Sequence, residues 1–191
     1  MRWAEFDREQ PQLARLGQRM LGEPGVVLVA TIRVDGAPRL SPVEPLFWND
    51  DLWLSMGWGS RKAADLTRDP RILVHSIVTS RDGTSGEYKV RGQAIVETDP
   101  AAHEAYAAVV ASSLGWQPEP GRFHLFRVDV EDVTYIRWDD ATNDQYVTRW
   151  PEGGEFVRRG TSATSLGDSE PMHQLLTDRQ QGEDGPQSSS G

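Results

Sequence analysis

The chain contains no cysteine, which removes disulfides, thiolate metal sites and cysteine nucleophiles from consideration together. Lysine is nearly absent as well: two lysines stand against eighteen arginines, a bias that fits a GC-rich genome. No apolar run approaches the roughly 20 residues that a membrane helix needs. The N-terminal "MRWAEFDREQ" is charged and lacks the apolar stretch of a signal peptide. A cytoplasmic protein without a membrane partner is the expectation. Excess positive charge is missing too. A formal net charge of −9 argues against a nucleic-acid partner, because such proteins present a basic footprint. What is present suits a folded domain: 191 residues, 37% of them hydrophobic, with seven tryptophans.

Familiar catalytic motifs are equally scarce. The four histidines (His75, His103, His124 and His173) show no metal-ligand spacing, so no metal site is expected. There is no G-x-S-x-G elbow, and no pair of carboxylates stands out for acid–base work. "GWGSRK" carries Lys62 where the last glycine of a dinucleotide fingerprint would be, so it is not one. His75 and His124 lie in apolar stretches and read as core histidines, and Trp58 reads as a packing residue.

The order of elements is more informative. Leu13, Leu16, Met20 and Leu21 recur at helical spacing, and Gly22 and Pro24 end that helix. "GVVLVATIRV" (25–34) reads as a strand buried on both faces, and Asp35-Gly36 as a hairpin turn. The return strand through "RLSPVEPLFW" carries two prolines, which suit an edge or irregular strand. "DLWLSM" is a third strand. Ser60 is placed to cap a two-turn helix over "RKAADLTR", halted by Asp69-Pro70. "RILVHSIV" and "EYKVRGQAIVE" follow as strands, the second in clean alternation. Asp99-Pro100 opens a helix to about Leu114. Strands fit "FHLFRVDVEDVTYIRW", "DQYVTRW" and "EFVRR".

From Arg158 onward there is no Val, Ile, Phe, Tyr or Trp. Such a segment buries too little apolar surface to offset its ordering entropy. The expected division is a folded domain over 1–159 and a largely disordered tail over 160–191. Many strands joined by hairpins, with a few helices, predict a mainly β, antiparallel barrel.

Arg61 and Lys62 pose a question, since cations are more comfortable at a helix C-terminus. Backbone N–H groups of the first turn are unsatisfied there and favour an anion, which Arg61 and Lys62 would also attract. A solvated helix end with two surface cations has the same appearance. Glu87, Lys89 and Arg91 share one strand face and are open to the same two readings.

The series strand, D-G hairpin, "PRLSPVEP", strand, "GSRKAADLTRDPRILV", strand ending "VRGQAIVE" resembles the pyridoxamine 5′-phosphate oxidase-like family over residues 8–138. These are the split-barrel flavin and deazaflavin oxidoreductases. The resemblance implies an FMN-binding type of split β-barrel and a homodimer with the cofactor at the subunit interface. It implies a phosphate held by Arg61 and Lys62 at the helix capped by Ser60. Arg39, Ser41, Pro42 and Val43 would lie along the ring, with contacts from Ser55 and Met56. Glu87 stands where the vitamin B6 oxidases have a glutamine, and "AAHEAYAAVVASSLGW" lacks their substrate-phosphate arginine. Oxidation of pyridoxine phosphate is therefore not expected. The implied activity is hydride transfer between FMN or coenzyme F420 and a small molecule. A flavin- or haem-binding carrier or sensor is the alternative.

Overall fold

The computed structural model describes residues 1–116, 118–119 and 121–172. The part of the expected tail beyond 172, with His173, lies outside the described residues. Among the described residues, four helices and ten strands are formed: α1 (Trp3–Glu9), α2 (Pro11–Gly22), β1 (Val27–Ile32), β2 (Pro38–Val43), β3 (Pro45–Trp48), β4 (Asp51–Gly57), α3 (Arg61–Arg68), β5 (Arg71–His75), β6 (Glu87–Glu97), α4 (Pro100–Leu114), β7 (Phe123–Trp138), β8 (Gln145–Trp150), β9 (Gly154–Ser162) and β10 (Ser165–Met172). Among the described residues, no helix is long and apolar enough to cross a membrane.

All strand pairings are antiparallel. The ladder runs β2–β1–β5–β6–β7 and forks at β7. The first residues of β7, Phe123 to Arg127, pair with β4, and residues from Val133 onward pair with β8. One branch ends at β3 and the other at β10. β2 and β3 are separated in the chain by Glu44 alone, so the β2-to-β3 part of the sheet curls back on itself. Among the described residues, no ladder closes it.

The inside of that curl is the main core. Leu52, Leu54, Val74, Tyr88, Val90, Phe126 and Val128 line it, and α1 and α2 cover it with Trp3, Phe6, Leu13 and Leu21. α2 comes close because Gly17 has no side chain: a Cβ there would fall 2.6 Å from the Tyr88 ring. The Tyr88 hydroxyl donates to the Leu13 carbonyl at 2.8 Å. A second cluster lies on the outer face of β4 and β7, where Trp53, Phe123 and Leu125 meet Tyr106 and Val110 of α4. β4 is consequently buried on both faces.

Two expectations need correction, and one helix, α1, has no counterpart in the sequence reading. β1 is not fully buried on both faces; Val27, Val29 and Thr31 are buried while Leu28, Ala30 and Ile32 are half-buried. The segment from 160 to 172, expected to begin a disordered tail, instead completes β9 and forms β10. Backbone pairing between β9 and β10 supplies the order that the side chains lack, and Asp144 anchors the start of this region by accepting from the Gly160 N–H at 2.8 Å.

Candidate functional site

The helix start that raised the anion question is built as its sequence dictates. The Ser60 side chain accepts from the Ala63 N–H at 3.4 Å and caps α3. Gly59 takes a positive φ of 71°, which suits glycine, in the turn that aims the chain into the helix. α3 is fixed against β1 and β2 by Asp65, whose carboxylate accepts from Thr31 Oγ1 at 3.0 Å and Arg39 Nε at 2.7 Å. Burial works against ionisation of Asp65, but hydrogen bonds from Arg39 and Thr31, with the charges of Arg39 and Arg68, hold its pKa below 3.8.

Beside this helix start is a cavity of about 490 Å³. β2 contributes Pro42 and Val43, Glu44 follows them, β4 contributes Ser55, Met56 and Gly57, and α3 contributes Lys62. The rest of the lining comes from the connection between α4 and β7, with Trp116, Pro118, Glu119 and Arg122, and from Phe123 at the start of β7. Five expected site residues thus meet in one place: Pro42, Val43, Ser55, Met56 and Lys62.

The other five lie elsewhere or act indirectly. Arg39 is engaged with Asp65. Ser41, half-buried on β2, and Arg61, exposed on α3, are not among the lining residues. Ser60 serves as the cap. Glu87 pairs with Ile136, near the end of β7 remote from Phe123, and its carboxylate meets His75 Nε2 at 3.1 Å and Lys89 Nζ at 3.2 Å. Arg91 pairs with Glu131 and Asp132, so that strand face is an ion-pair lattice. His124 is half-buried and stacks on Trp58, with ring centroids 4.9 Å apart and planes at 5°. Trp58 itself is 61% exposed.

The cavity's chemistry is mixed in a specific way. Pro42, Val43, Met56, Trp116 and Phe123 offer apolar and aromatic surface. Behind Ser55 is Tyr106, whose phenol is pushed up by burial; a hydrogen bond with Ser55 opposes that shift and the nearby Glu44 charge adds to it. Gly57 leaves the lining open, since a Cβ there would meet nothing within 4 Å. The volume falls in the range of roughly 300–1,000 Å³ usual for cofactor pockets. Apolar walls for a planar ring, a hydroxyl within the lining and a cation beside a helix start fit a phosphate-bearing aromatic cofactor. Among the described residues, no group of three or more His, Asp or Glu is placed to hold a metal ion.

Sequence reading missed Glu44, Trp116, Pro118, Glu119, Arg122 and Phe123. "GWQPEPGR" signals a loop, but nothing in its composition says which surface it crosses.

Comparison with known proteins bears on the same region. Among curated proteins, none matches the sequence. Solved structures match at the level of fold. A Listeria innocua protein described as a candidate pyridoxamine 5′-phosphate oxidase is 17% identical, covers 65% of this chain and 96% of its own, and has a TM-score of 0.53. A conserved hypothetical protein of Mycobacterium tuberculosis is 21% identical over 63% of this chain and 81% of its own, also at 0.53. PhzG from Burkholderia lata, in complex with tetrahydrophenazine-1-carboxylic acid, is 16% identical over 83% and 92%, at 0.51. The family model for pyridoxamine 5′-phosphate oxidase matches residues 17–137, most of the chain and every residue on the β-strand and α3 walls of the cavity. The chain belongs to the pyridoxamine 5′-phosphate oxidase family.

Proposed function

We propose that the protein is an oxidoreductase that holds FMN or coenzyme F420 in the cavity between β2, β4, α3 and the α4–β7 connection. The observation that carries this reading is the convergence of Pro42, Val43, Ser55, Met56 and Lys62 on one cavity beside the Ser60-capped helix. A bound flavin or deazaflavin ring supplies hydride chemistry, exchanging two electrons and a proton with a small-molecule partner. The chain's own residues bind and orient. Lys62 neutralises phosphate, aided by the first-turn N–H groups of α3. Pro42, Val43 and Met56 offer the ring an apolar face, and Trp116 and Phe123 help exclude water from it. The Ser55 hydroxyl, near enough to Tyr106 to lower its phenol pKa, stands at the cavity lining.

The working unit in this reading is a homodimer. β2 is an edge strand that exposes Leu40 at 63%, and an edge with apolar side chains favours pairing with another chain.

The test is an absorbance spectrum of the purified protein, then fluorescence titration with FMN and with F420 and a light-scattering mass. Saturable binding of one cofactor that Lys62→Ala weakens supports the reading. Failure of both to bind the intact protein removes it, and a haem-like spectrum moves the protein to the carrier class.

A further inference from the structure

Arg61 and Lys62 are adjacent in sequence but not in role, because successive residues of a helix point about 100° apart. Lys62 lines the cavity and Arg61 does not. A different cation joins Lys62 there: Arg122, at the end of the α4–β7 connection. The pairing of Gly57 with Phe123 sets Arg122 beside the turn that leads into α3.

Among the described residues, eight arginines (2, 33, 39, 68, 71, 91, 127 and 159) are engaged in ion pairs. Arg122 and Lys62 have no ion-pair partner among the described residues. Two cations sharing one cavity repel, and in a chain of net charge −9 carboxylates to quench them are plentiful. Two do reach the lining. Glu44 belongs with Ser55, toward the far side from Gly57, since β3 pairs Pro45 with Leu54. Glu119 is bonded to Arg122 through the backbone, Arg122 N–H to Glu119 carbonyl at 3.0 Å, while their side chains form no ion pair.

We propose that Arg122, rather than Arg61, is the second phosphate-gripping cation of this cavity, reaching the occupant's phosphate from beside the turn that leads into α3. This rests on the cofactor reading above and sharpens it. A guanidinium presents a planar fork to phosphate oxygens and an ammonium a single point of charge, so the two divide the group between them. Since Arg122 comes from the connection that also contributes Trp116 and Pro118, the phosphate ties that connection to the start of α3.

The experiment uses the full chain and its Arg61→Ala, Lys62→Ala, Arg122→Ala, Arg122→Lys and Glu119→Gln variants, with circular dichroism to confirm folding. FMN and riboflavin, which share a ring and differ in phosphate, are titrated by fluorescence. Inorganic pyrophosphate is tested by thermal shift. Arg122→Ala and Lys62→Ala are each expected to weaken FMN binding on the order of 10- to 100-fold while leaving riboflavin little changed. Arg122→Lys should fall between, Arg61→Ala should be nearly silent, and Glu119→Gln should tighten FMN. If Arg61→Ala loses as much as Lys62→Ala while Arg122→Ala binds FMN normally, the proposal is overturned. Should the intact protein bind no FMN, F420 or riboflavin, the cofactor reading falls separately and pyrophosphate decides. Protection lost in Arg122→Ala keeps the anion site, and absence of protection in the intact protein overturns it.

Discussion

Arg39 Nε lies 2.7 Å from the Asp65 carboxylate, joining β2 to α3 across 26 positions of sequence. The side chain implied by family resemblance to lie along a cofactor ring is occupied in bracing the helix that would hold its phosphate. Asp65 is buried and Arg39 is 24% exposed at the side chain. Removing one partner of such a pair strands a desolvated charge, for which the cost is about 3–5 kcal/mol when burial is complete. Arg39→Ala is expected to destabilise by about 1–3 kcal/mol in urea unfolding, a discount for the partial exposure of Arg39. Its effect on FMN affinity, measured in the folded variant, should be small beside that of Lys62→Ala.

Acid should weaken the protein through its depressed aspartates, Asp65, Asp69, Asp82, Asp139 and Asp144, of which two brace buried structure. Asp144 is held below the ordinary 3.8 by the Gly160 N–H and by Arg159, and Asp65 by its bonds from Arg39 and Thr31, which outweigh its burial. A depressed folded pKa gives stability that is present above the unfolded value and lost as pH falls through the folded one. Thermal unfolding midpoints followed downward from pH 5 should therefore drop steeply below about pH 4. Asp144→Asn should be less stable at neutral pH and show a shallower acid decline. An unchanged acid slope would mean that Asp144 is not the responsible group.

Two glycines make opposite forecasts. Gly92 sits where the β6–β7 register shifts, and a Cβ there would fall 1.8 Å from the Asp129 carbonyl oxygen. Gly92→Ala should destabilise at or above the upper end of the roughly 1–3 kcal/mol typical of overpacking. Gly57→Ala meets nothing within 4 Å and should leave the denaturation midpoint nearly unchanged, while cofactor affinity falls. Stability curves and FMN titrations of the two variants check both halves.

Tyr88 and Tyr106 are both buried, and burial pushes each phenol above the ordinary 10.0. Tyrosinate absorbance at pH 10 should be short by these two residues in the folded protein and should recover on unfolding. Tyr88→Phe or Tyr106→Phe should leave the folded-state signal at pH 10 unchanged. A raised folded pKa also means that their contribution is intact below pH 10 and is lost as pH climbs further, so the alkaline limb of stability should flatten in either variant.

What could be read from sequence was whatever local chemistry dictates. Gly36 has a φ of 81° in the Asp35-Gly36 turn, Ser60 and Asp99 cap their helices, and Tyr88, Val90, Gly92 and Ala94 face inward along β6. Elements whose order comes from elsewhere gave no such signal. α1 has two apolar anchors in seven residues, and its reason to be helical is Trp3 against Phe47 at 4.9 Å and Phe6 against Trp150 at 4.9 Å. β10 is held by main-chain bonds, which are the same for any side chain. At the site, family resemblance found the strand and helix walls because their spacing is local. Arg122 and Trp116 required the folded connection to show that they line the same cavity as Lys62.

Glu44 is the single residue between the last position of one sheet edge and the first of another. Strand side chains alternate faces with a period of two, so one inserted or deleted residue there would send the whole of β3 to the wrong side. Evolutionary length change in relatives of this chain should therefore be forbidden at that corner. It should collect instead in the two connections that follow β5 and α4, where no ladder counts the described residues. The second of these stretches carries a wall of the cavity, so divergence in specificity and tolerance for insertion share an address.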